Sequence, residues 1–288
     1  MSLFLIIVIG IGWFFSELMD SRNILYFAVG FSLLMNIFSY WYSDKVVLKM
    51  SGAKQIKREE NRNLFDTVER LSRQAHLPIP KVYIMNDQSL NAFATGRNAK
   101  NSAVAVTQGL LNVLEQRELE GVIAHELSHI QNNDILISTI IVVLVGFVSL
   151  LSDFFLRMSI FGGLRDNENN SAGSVMAIVG IVLAILAPFV AMIIQLAISR
   201  KREFLADASG ASLTHNPSGL ASALEKISSS SVQMKKASRA TAHIFISNPY
   251  KKNSKHSVGQ RKRTSFLAKM FMTHPPTEER INALLGRR

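Results

Sequence analysis

The residues with the clearest chemical potential form the stretch His125-Glu126-Leu127-Ser128-His129. In an α-helix, residues four apart lie on one face, a turn above each other, so the two imidazoles can bind one Zn²⁺ ion between them. The glutamate after the first histidine then lies beside the open coordination position, where it can accept a proton from a zinc-activated water. The alternative is a surface helix that carries the two histidines by chance. This five-residue pattern is expected by chance in on the order of one unrelated chain per hundred.

A third metal ligand must come from elsewhere, because two histidines leave zinc short of protein ligands. The chain has no cysteine, so this ligand must be a histidine or a carboxylate. Glu203 is the best candidate, since it begins a helical stretch directly after an apolar run, and Asp207 follows four residues later on the same face. A carboxylate at 207 can accept the second ring N–H of a ligand histidine. The alternative is that Glu203 and Asp207 form an ordinary solvated helix face.

The elements that position these residues include four apolar runs, each predicted to cross a membrane. The runs are Leu3–Phe15 continuing to Met19, Ile24–Tyr42, Ile135–Leu151 and Val175–Ile198, the last interrupted by Pro188. A cleaved signal peptide is the alternative for the first run, but that run has no basic start and no small-residue cleavage site. A buried soluble hairpin is the alternative for the last two runs, and their length argues against it.

The distribution of basic residues indicates which segments face the cytoplasm. The formal net charge is +11, and residues 199–288 hold 17 basic and 5 acidic residues, whereas residues 43–134 hold 12 and 11. A basic surplus beside membrane spans is typical of a cytoplasmic face next to anionic lipid, so we expect the N-terminus and residues 43 onward in the cytoplasm. Nucleic-acid binding is the competing interpretation, but the chain contains no recognisable nucleic-acid module, and we expect no such partner.

The segments between the spans predict a domain of helices with a small β-sheet, so the expected fold class is α+β. Residues 55–75 predict an amphipathic helix with Leu64, Val68 and Leu71 on one stripe. The helix of the two histidines is expected from about Gln116 to Asn132, with its apolar face buried. Between these helices we expect the short strands Lys81–Asn86, Asn91–Thr95 and Ala103–Thr107, followed by a short helix over Thr107–Leu114.

The chain is thereby divided into four parts. Residues 1–42 hold the first two spans, 43–134 the first part of the cytoplasmic domain, 135–198 a transmembrane hairpin, and 199–288 the second part with the third ligand. The third span begins six residues after His129, and the fourth ends five residues before Glu203. Both halves of the metal site therefore adjoin the membrane surface, where loops of membrane proteins or extracted segments can reach them.

Together these residues resemble the HtpX-type membrane zinc metalloproteases, and the resemblance covers nearly the whole chain. It rests on Asn91–Gly96, on His125–Ile130 with Asn132 and Asp134, on Glu203–Asp207 and on His274–Arg280. It implies one Zn²⁺ per chain bound by His125, His129 and Glu203, with Glu126 as general base. It also implies a gluzincin-like, mainly helical integral membrane protein with four transmembrane helices in the bacterial inner membrane, active on the cytoplasmic side in stress response and quality control.

The remaining site candidates are weaker. The resemblance places Asn91, Ala92 and Phe93 near the substrate cleft. His243, His274 and Arg280 are further candidates for substrate or transition-state contacts, with a surface position as the alternative for the two histidines. The other histidines have no supporting pattern and are predicted to lie at the surface: His76, His215 and His256.

The predicted activity is endopeptidase cleavage of membrane proteins or unfolded polypeptides, which bind extended along an exposed strand edge. A dedicated processing peptidase with few substrates is an alternative that the site chemistry leaves open. A membrane adaptor with a structural zinc is the alternative outside enzymes. A structural site normally has four protein ligands, however, and this sequence offers three and an adjacent base. The oligomeric state is left open.

Overall fold

The computed structural model describes residues 2–18, 20–141, 143, 200–236, 241, 244–247 and 275–287. The helices of this part are α1 (Ser2–Leu18), α2 (Arg22–Met50), α3 (Arg62–Gln74), α4 (Gln108–Val113), α5 (Gln116–Gln131), α6 (Arg200–Thr214), α7 (Pro217–Ser229) and α8 (Thr277–Leu284), and residues 134–141 are also helical. The strands are β1 (Ala53–Gln55), β2 (Lys81–Met85), β3 (Ala92–Asn98) and β4 (Asn101–Thr107). Most of the predicted third span and all of the fourth lie outside the described residues.

The N-terminal helices α1 and α2 pack against each other. Among the described helices, α2 alone combines the length and the hydropathy needed to cross a bilayer; α1 has 17 residues, at the lower limit of spanning length. At about 1.5 Å per residue, α2 is roughly 43 Å long, whereas the hydrocarbon core of a bilayer is about 30 Å thick. The C-terminal turns of α2 are therefore long enough to project beyond the hydrocarbon.

Helix α2 continues past the end of its apolar run. The sequence predicts a span that ends at Tyr42, but the helix reaches Met50 because neither proline nor glycine lies between Tyr42 and Gly52. Gly52 has a positive φ of 65°, and its N–H donates to the carbonyl of Lys49 at 3.1 Å, which closes the helix end. The expected boundary after residue 42 therefore falls inside one continuous helix.

The sheet has four strands in the order β1-β2-β4-β3, so β1 and β3 form its two edges. β2 and β4 are parallel, with Lys81 opposite Ala103, whereas β1 pairs antiparallel with β2 and β3 pairs antiparallel with β4. The three strands expected from the sequence are confirmed, with β3 extending to Asn98. The fourth strand, β1, was not predicted.

The prediction of one helix over residues 55–75 was wrong at its N-terminal end. Gln55 belongs to β1, and Ile56 donates its backbone N–H to the carbonyl of Val82, which extends the pairing with β2. The helix begins only after Asn61, whose side-chain oxygen accepts the backbone N–H of Leu64 at 3.0 Å. An asparagine N-cap satisfies a free N–H at the helix start, and this local hydrogen bond fixes where α3 begins.

The sheet separates two apolar clusters. One face packs against α3, α5 and α7, where the predicted stripe of α3 and the predicted apolar face of α5 are buried, which confirms both. The other face packs against the C-terminal turns of α2, through Val47 and Leu48. Residues of β3 alternate between the two clusters, with Ala92 and Ala94 on the α5 side and Phe93 on the α2 side, as the two-residue period of a strand requires.

Two glycines allow the helices around α5 to approach closely. A Cβ atom added at Gly121 of α5 would lie 2.7 Å from the backbone nitrogen of Leu220 in α7. A Cβ atom added at Gly210 of α6 would lie 2.9 Å from the backbone nitrogen of His125. Backbone atoms cannot move aside as a flexible side chain can, so α6 lies against α5 at His125 only because residue 210 has no side chain.

Gly210→Ala is expected to push α6 away from α5 and to destabilise the protein by about 1–3 kcal/mol through overpacking. Because Glu203 and Asp207 lie on α6, divalent-metal affinity should fall as well. Ser212→Ala, at an exposed position of the same helix, is the matched control. Thermal unfolding in detergent and metal titration provide the measurements, and a Gly210→Ala variant with wild-type values for both would contradict this account of the packing.

Candidate metal centre and active site

Three predicted ligand side chains meet at one point between α5 and α6. His125, His129 and Glu203 each offer one ligand atom, and these three atoms lie within 4.8 Å of one another. His125 is 1% exposed and Glu203 is 4% exposed, whereas the side chain of His129 is 17% exposed. The histidines are brought together by the helical period, and Glu203 by the packing of α6 on α5.

The second ring nitrogen of each histidine faces a carboxylate. The Nδ1 atom of His125 lies 2.9 Å from Oδ1 of Asp207, and the Nδ1 atom of His129 lies 3.2 Å from Oδ2 of Asp134. A carboxylate accepts a hydrogen bond, so both Nδ1 atoms carry a proton, and Nε2 of each ring is the atom that can offer a lone pair to a metal ion. Asp134 is fixed in turn by Arg202, whose Nη1 donates to its Oδ1 at 2.7 Å.

The donor set fits a tetrahedral metal ion. The two Nε2 atoms lie 3.2 Å apart, although two nitrogen lone pairs facing each other repel. Two nitrogens bound at 2.0–2.1 Å to one tetrahedral zinc ion would lie roughly 3.3 Å apart, in agreement with this spacing. The Glu203 oxygens lie 3.6 Å from Nε2 of His129 and 3.9 Å from Nε2 of His125, which leaves room for an ion among the three groups.

The electrostatics of this pocket also favour a cation. Burial opposes a charge on His129, but the Asp134 carboxylate and the nearby charge of Glu203 raise the pKa of His129 to about 9. Burial raises the pKa of Glu126, which the two imidazoles and a hydrogen bond from the backbone of Ala94 only partly offset. Glu126 is 2% exposed. A raised pKa lies closer to neutral pH than the usual pKa of a carboxyl group, and this suits a general base.

Arg280 of α8 lies behind the metal ligands. It is 2% exposed, and its Nε and Nη2 atoms donate to the two oxygens of Asp207 at 2.8 and 2.6 Å. Its Nη1 atom lies 3.6 Å from Oε2 of Glu203. Burial alone would raise the pKa of Asp207, but the hydrogen bonds from Arg280 and His125 lower it to about 2.

The substrate or transition-state contact expected for Arg280 stays a prediction, and the structure shows which protein groups this residue contacts. A guanidinium held by two hydrogen bonds to one buried carboxylate has little freedom to reach a substrate. Its contacts are with the groups that orient His125 and Glu203. Through Asp207 and Glu203, Arg280 is placed where it can position the candidate metal ligands.

The other residues that the sequence analysis considered are either buried at the start of β3 or exposed at the surface, within the part of the chain that the structure describes. Asn91 lies at the start of β3, where its side chain donates to the carbonyl of Ser247 at 3.0 Å. Ala92 and Phe93 follow it in β3 and are fully buried. His76 and His215 are exposed, each with a positive φ just after a helix, and their predicted surface position is confirmed. His243, His256 and His274 lie outside the described residues.

Sequence reasoning missed the roles of Asp134 and Arg202. Asp134 enters the prediction only as part of the motif around His125–Ile130, and Arg202 is not among the predicted site residues. The available signal was a carboxylate five residues after His129, close enough in the chain to reach that ring. The pairing of Asp134 with Arg202 had no sequence signal, because 68 residues separate the two.

Asp207→Asn tests the orientation of His125. The amide keeps the shape of the carboxylate but removes its charge, so we expect the metal dissociation constant to rise about 10–100-fold. Glu225→Gln on α7, at an exposed position, is the matched control. Competition with a chromophoric chelator measures the affinity, and wild-type affinity in Asp207→Asn would show that this contact does not support the ligand.

The sequence model of peptidase family M48 matches residues 58–288. Curated relatives named "Protease HtpX homolog" align over most of the chain. The relative from Desulfatibacillum aliphaticivorans is 45% identical over 100% of this chain and 86% of its own length. The one from Desulforapulum autotrophicum is 44% identical over 93% of this chain and 82% of its own, and the one from Caldanaerobacter subterraneus subsp. tengcongensis is 43% identical over 98% and 91%.

Among solved structures, the crystal structure of S. mikatae Ste24p matches with a TM-score of 0.53 and 18% sequence identity, covering 94% of this chain. The match covers 61% of the Ste24p chain, so this protein spans less than two thirds of that length. At this identity the likeness shows only that the two chains share a fold. The M48 match, the HtpX relatives and the grouped histidines and glutamate agree: the chain belongs to peptidase family M48 and is a membrane-associated metalloprotease of the HtpX type.

Proposed function

We propose that this protein is a zinc-dependent endopeptidase of the bacterial inner membrane that cleaves misfolded or damaged membrane proteins at the cytoplasmic face. The observation that carries the proposal is the combination of three metal-ligand side chains with one buried base, Glu126, beside them. A structural zinc site is normally closed by four protein ligands, whereas three ligands leave a position for the reacting groups. This argues against the adaptor alternative.

In the proposed mechanism, bound zinc supplies a Lewis acid and lowers the pKa of water. Glu126 accepts a proton at its carboxylate and transfers it to the leaving amine. His125, His129 and Glu203 hold the ion, and Asp207 and Asp134 keep the two imidazoles in the tautomer that presents Nε2 to it. The raised pKa of Glu126 supports both halves of this proton transfer.

The edge strand β3 supports binding of an extended substrate. Its outer edge, on the side away from β4, faces the metal site, because the backbone of Ala94 donates a hydrogen bond to Glu126. On the same edge, the carbonyl of Ala92 accepts the N–H of Ile246 at 3.0 Å. A strand pairs through alternate residues, so a substrate that continues this pairing past Ala92 would pass directly over Glu126. Backbone pairing of this kind depends little on side chains and suits varied unfolded substrates.

The position of the site supports membrane proteins as substrates. The helical residues 134–141 follow α5 almost at once, and they begin the third predicted span. Helix α6 begins at Arg200, two residues after the fourth predicted span ends. We propose that all four predicted spans cross the bilayer and that the basic residues after them keep the site in the cytoplasm.

Glu126→Gln should retain the metal and lose cleavage by about 10²–10⁴-fold, since general-base catalysis contributes that much. Glu120→Gln is the matched control, because Glu120 lies on the same helix and pairs with Arg70 at the surface. Cleavage of an unfolded membrane protein by detergent-purified enzyme is measured together with zinc content. Retained activity in Glu126→Gln would overturn the assignment, and no cleavage by zinc-loaded wild type would favour a narrow processing enzyme or an adaptor.

Backbone pairing with β3 can be tested with peptide hydroxamate inhibitors that carry one N-methyl group. Methylation of an amide that points toward β3 removes one hydrogen bond of about 1 kcal/mol, so inhibition should weaken about fivefold. The isomer methylated at the next amide, which points away from β3, is the matched control. Equal inhibition by both isomers would show that the substrate does not bind as an added strand.

A further inference from the structure

A cavity of about 420 Å³ lies on the side of the sheet away from the metal centre. Its walls are the start of β2 and β4, the end of β3 and the C-terminal turns of α2. Tyr83, Ala103 and Leu48 line it and belong to the apolar cluster opposite α5. The cavity therefore belongs to the junction between the membrane helix and the sheet, and the proposed proteolytic mechanism makes no use of it.

Three cationic side chains line this cavity, Lys45, Lys81 and Arg97, against one carboxylate, Asp44. The Arg97 guanidinium lies 4.2 Å from the ring centroid of Trp41. The ammonium group of Lys45 lies 5.1 Å from the ring centroid of Tyr42. Cation–π contacts hold such groups in place without neutralising their charge.

These cations also lack anionic partners in the structure. Within the described ranges, no salt bridge involves Lys45, Lys81 or Arg97. The lining thus carries a net charge of +2, from the three cations and Asp44. An unneutralised positive charge on two strands and a helix, converging on one cavity, favours an anion with several acceptor oxygens.

The position of the cavity along the axis of α2 indicates where this anion comes from. From Ile24 to Trp41, α2 rises roughly 26 Å, which is close to the thickness of the hydrocarbon core. Trp41 and Tyr42 are half exposed and lie where an aromatic belt meets the headgroups. Lys45, one turn further, then lies at the level of the lipid phosphates.

The face of α2 that lines the cavity continues toward the membrane as apolar surface. Leu34, Ile37 and Phe38 precede Trp41 at helical spacing and are 69%, 58% and 43% exposed. An acyl chain can lie along this face while its headgroup enters the cavity. A free anion has no acyl chain and would not contact this apolar surface.

We propose that this cavity binds the phosphodiester headgroup of an anionic phospholipid, with Lys45, Lys81 and Arg97 around the phosphate and the acyl chains along α2. The bound lipid joins α2 to β2 and β3. Arg97 is three residues from Ala94, so the lipid also fixes the edge strand at a defined height above the bilayer. This inference requires membrane association and is independent of the proposed substrates.

The test is a lipid titration of full-length protein that carries Trp13→Phe, in an uncharged detergent. Binding is measured by the fluorescence of Trp41, the one tryptophan that this variant keeps. The probes are short-chain phosphatidylglycerol, short-chain phosphatidylcholine and inorganic phosphate. Phosphatidylglycerol should bind at least about tenfold more tightly than either of the other two probes, since it alone combines a net negative charge with acyl chains. Equal binding of phosphatidylcholine would overturn the anionic requirement, and equal binding of inorganic phosphate would overturn the lipid as ligand.

The double variant Lys81→Gln/Arg97→Gln should weaken phosphatidylglycerol binding about 25-fold, at about fivefold for each cation removed. The control, Lys54→Gln/Lys100→Gln, removes the same charge at exposed positions that do not line the cavity, and Lys100 lies on the same hairpin as Arg97. Equal losses in the two double variants would show only general charge attraction and would overturn the site. Arg97→Lys and zinc content verify that the fold is intact, since the lysine variant should recover most of the binding.

Discussion

The structure of the active site depends on how the negative charges of its buried carboxylates are compensated. Glu126, Glu203 and Asp207 are each less than 5% exposed and lie close together. Burial of like charges at this distance is strongly unfavourable unless cations lie among them. Arg280 supplies one cation from α8, at the far end of the sequence, and the metal centre supplies the place for another. The compensation of these charges therefore ties α5, α6 and α8 into one unit.

Close backbone packing and a second polar contact also hold α6 and α7 against α5. Gly210 and Gly121 let α6 and α7 lie against α5 without intervening side chains. On the outer side of α5, Glu118 accepts hydrogen bonds from Lys226 and Ser222 of α7 at 2.7 and 2.5 Å. These contacts lower the pKa of Glu118, although burial opposes the shift. The metal ligands are consequently carried by helices whose spacing is fixed on both sides.

The sheet links this unit to α2, the candidate membrane span. One face covers α5, while the other rests on the turns of α2 that continue beyond the apolar run. The edge strand β3 touches both environments, with Ala94 at Glu126 and Arg97 on Trp41. The proposed proteolytic cleft and the proposed lipid site therefore lie on opposite faces of one small sheet, and a change in the position of the sheet relative to the bilayer would affect both.

The sequence by itself determined the features that depend on local spacing. The helical period brings His125 and His129 to one face, and the apolar stripes of α3 and α5 fix which faces are buried. Turn residues and strand propensity located β2, β3 and β4. The sequence also identified Glu203 and Asp207 through their spacing of four on one helix. All of these follow from chain geometry over a few residues.

The tertiary structure alone decided the contacts between distant segments. It placed Arg280 against Asp207, paired Arg202 with Asp134, added β1 to the sheet and carried α2 past Tyr42 to pack against the sheet. A charged side chain gives no local signal of its partner when the partner is tens of residues away. A three-residue strand such as β1 is likewise stabilised mainly by its neighbour. These features therefore depend on contacts between segments that only folding brings together.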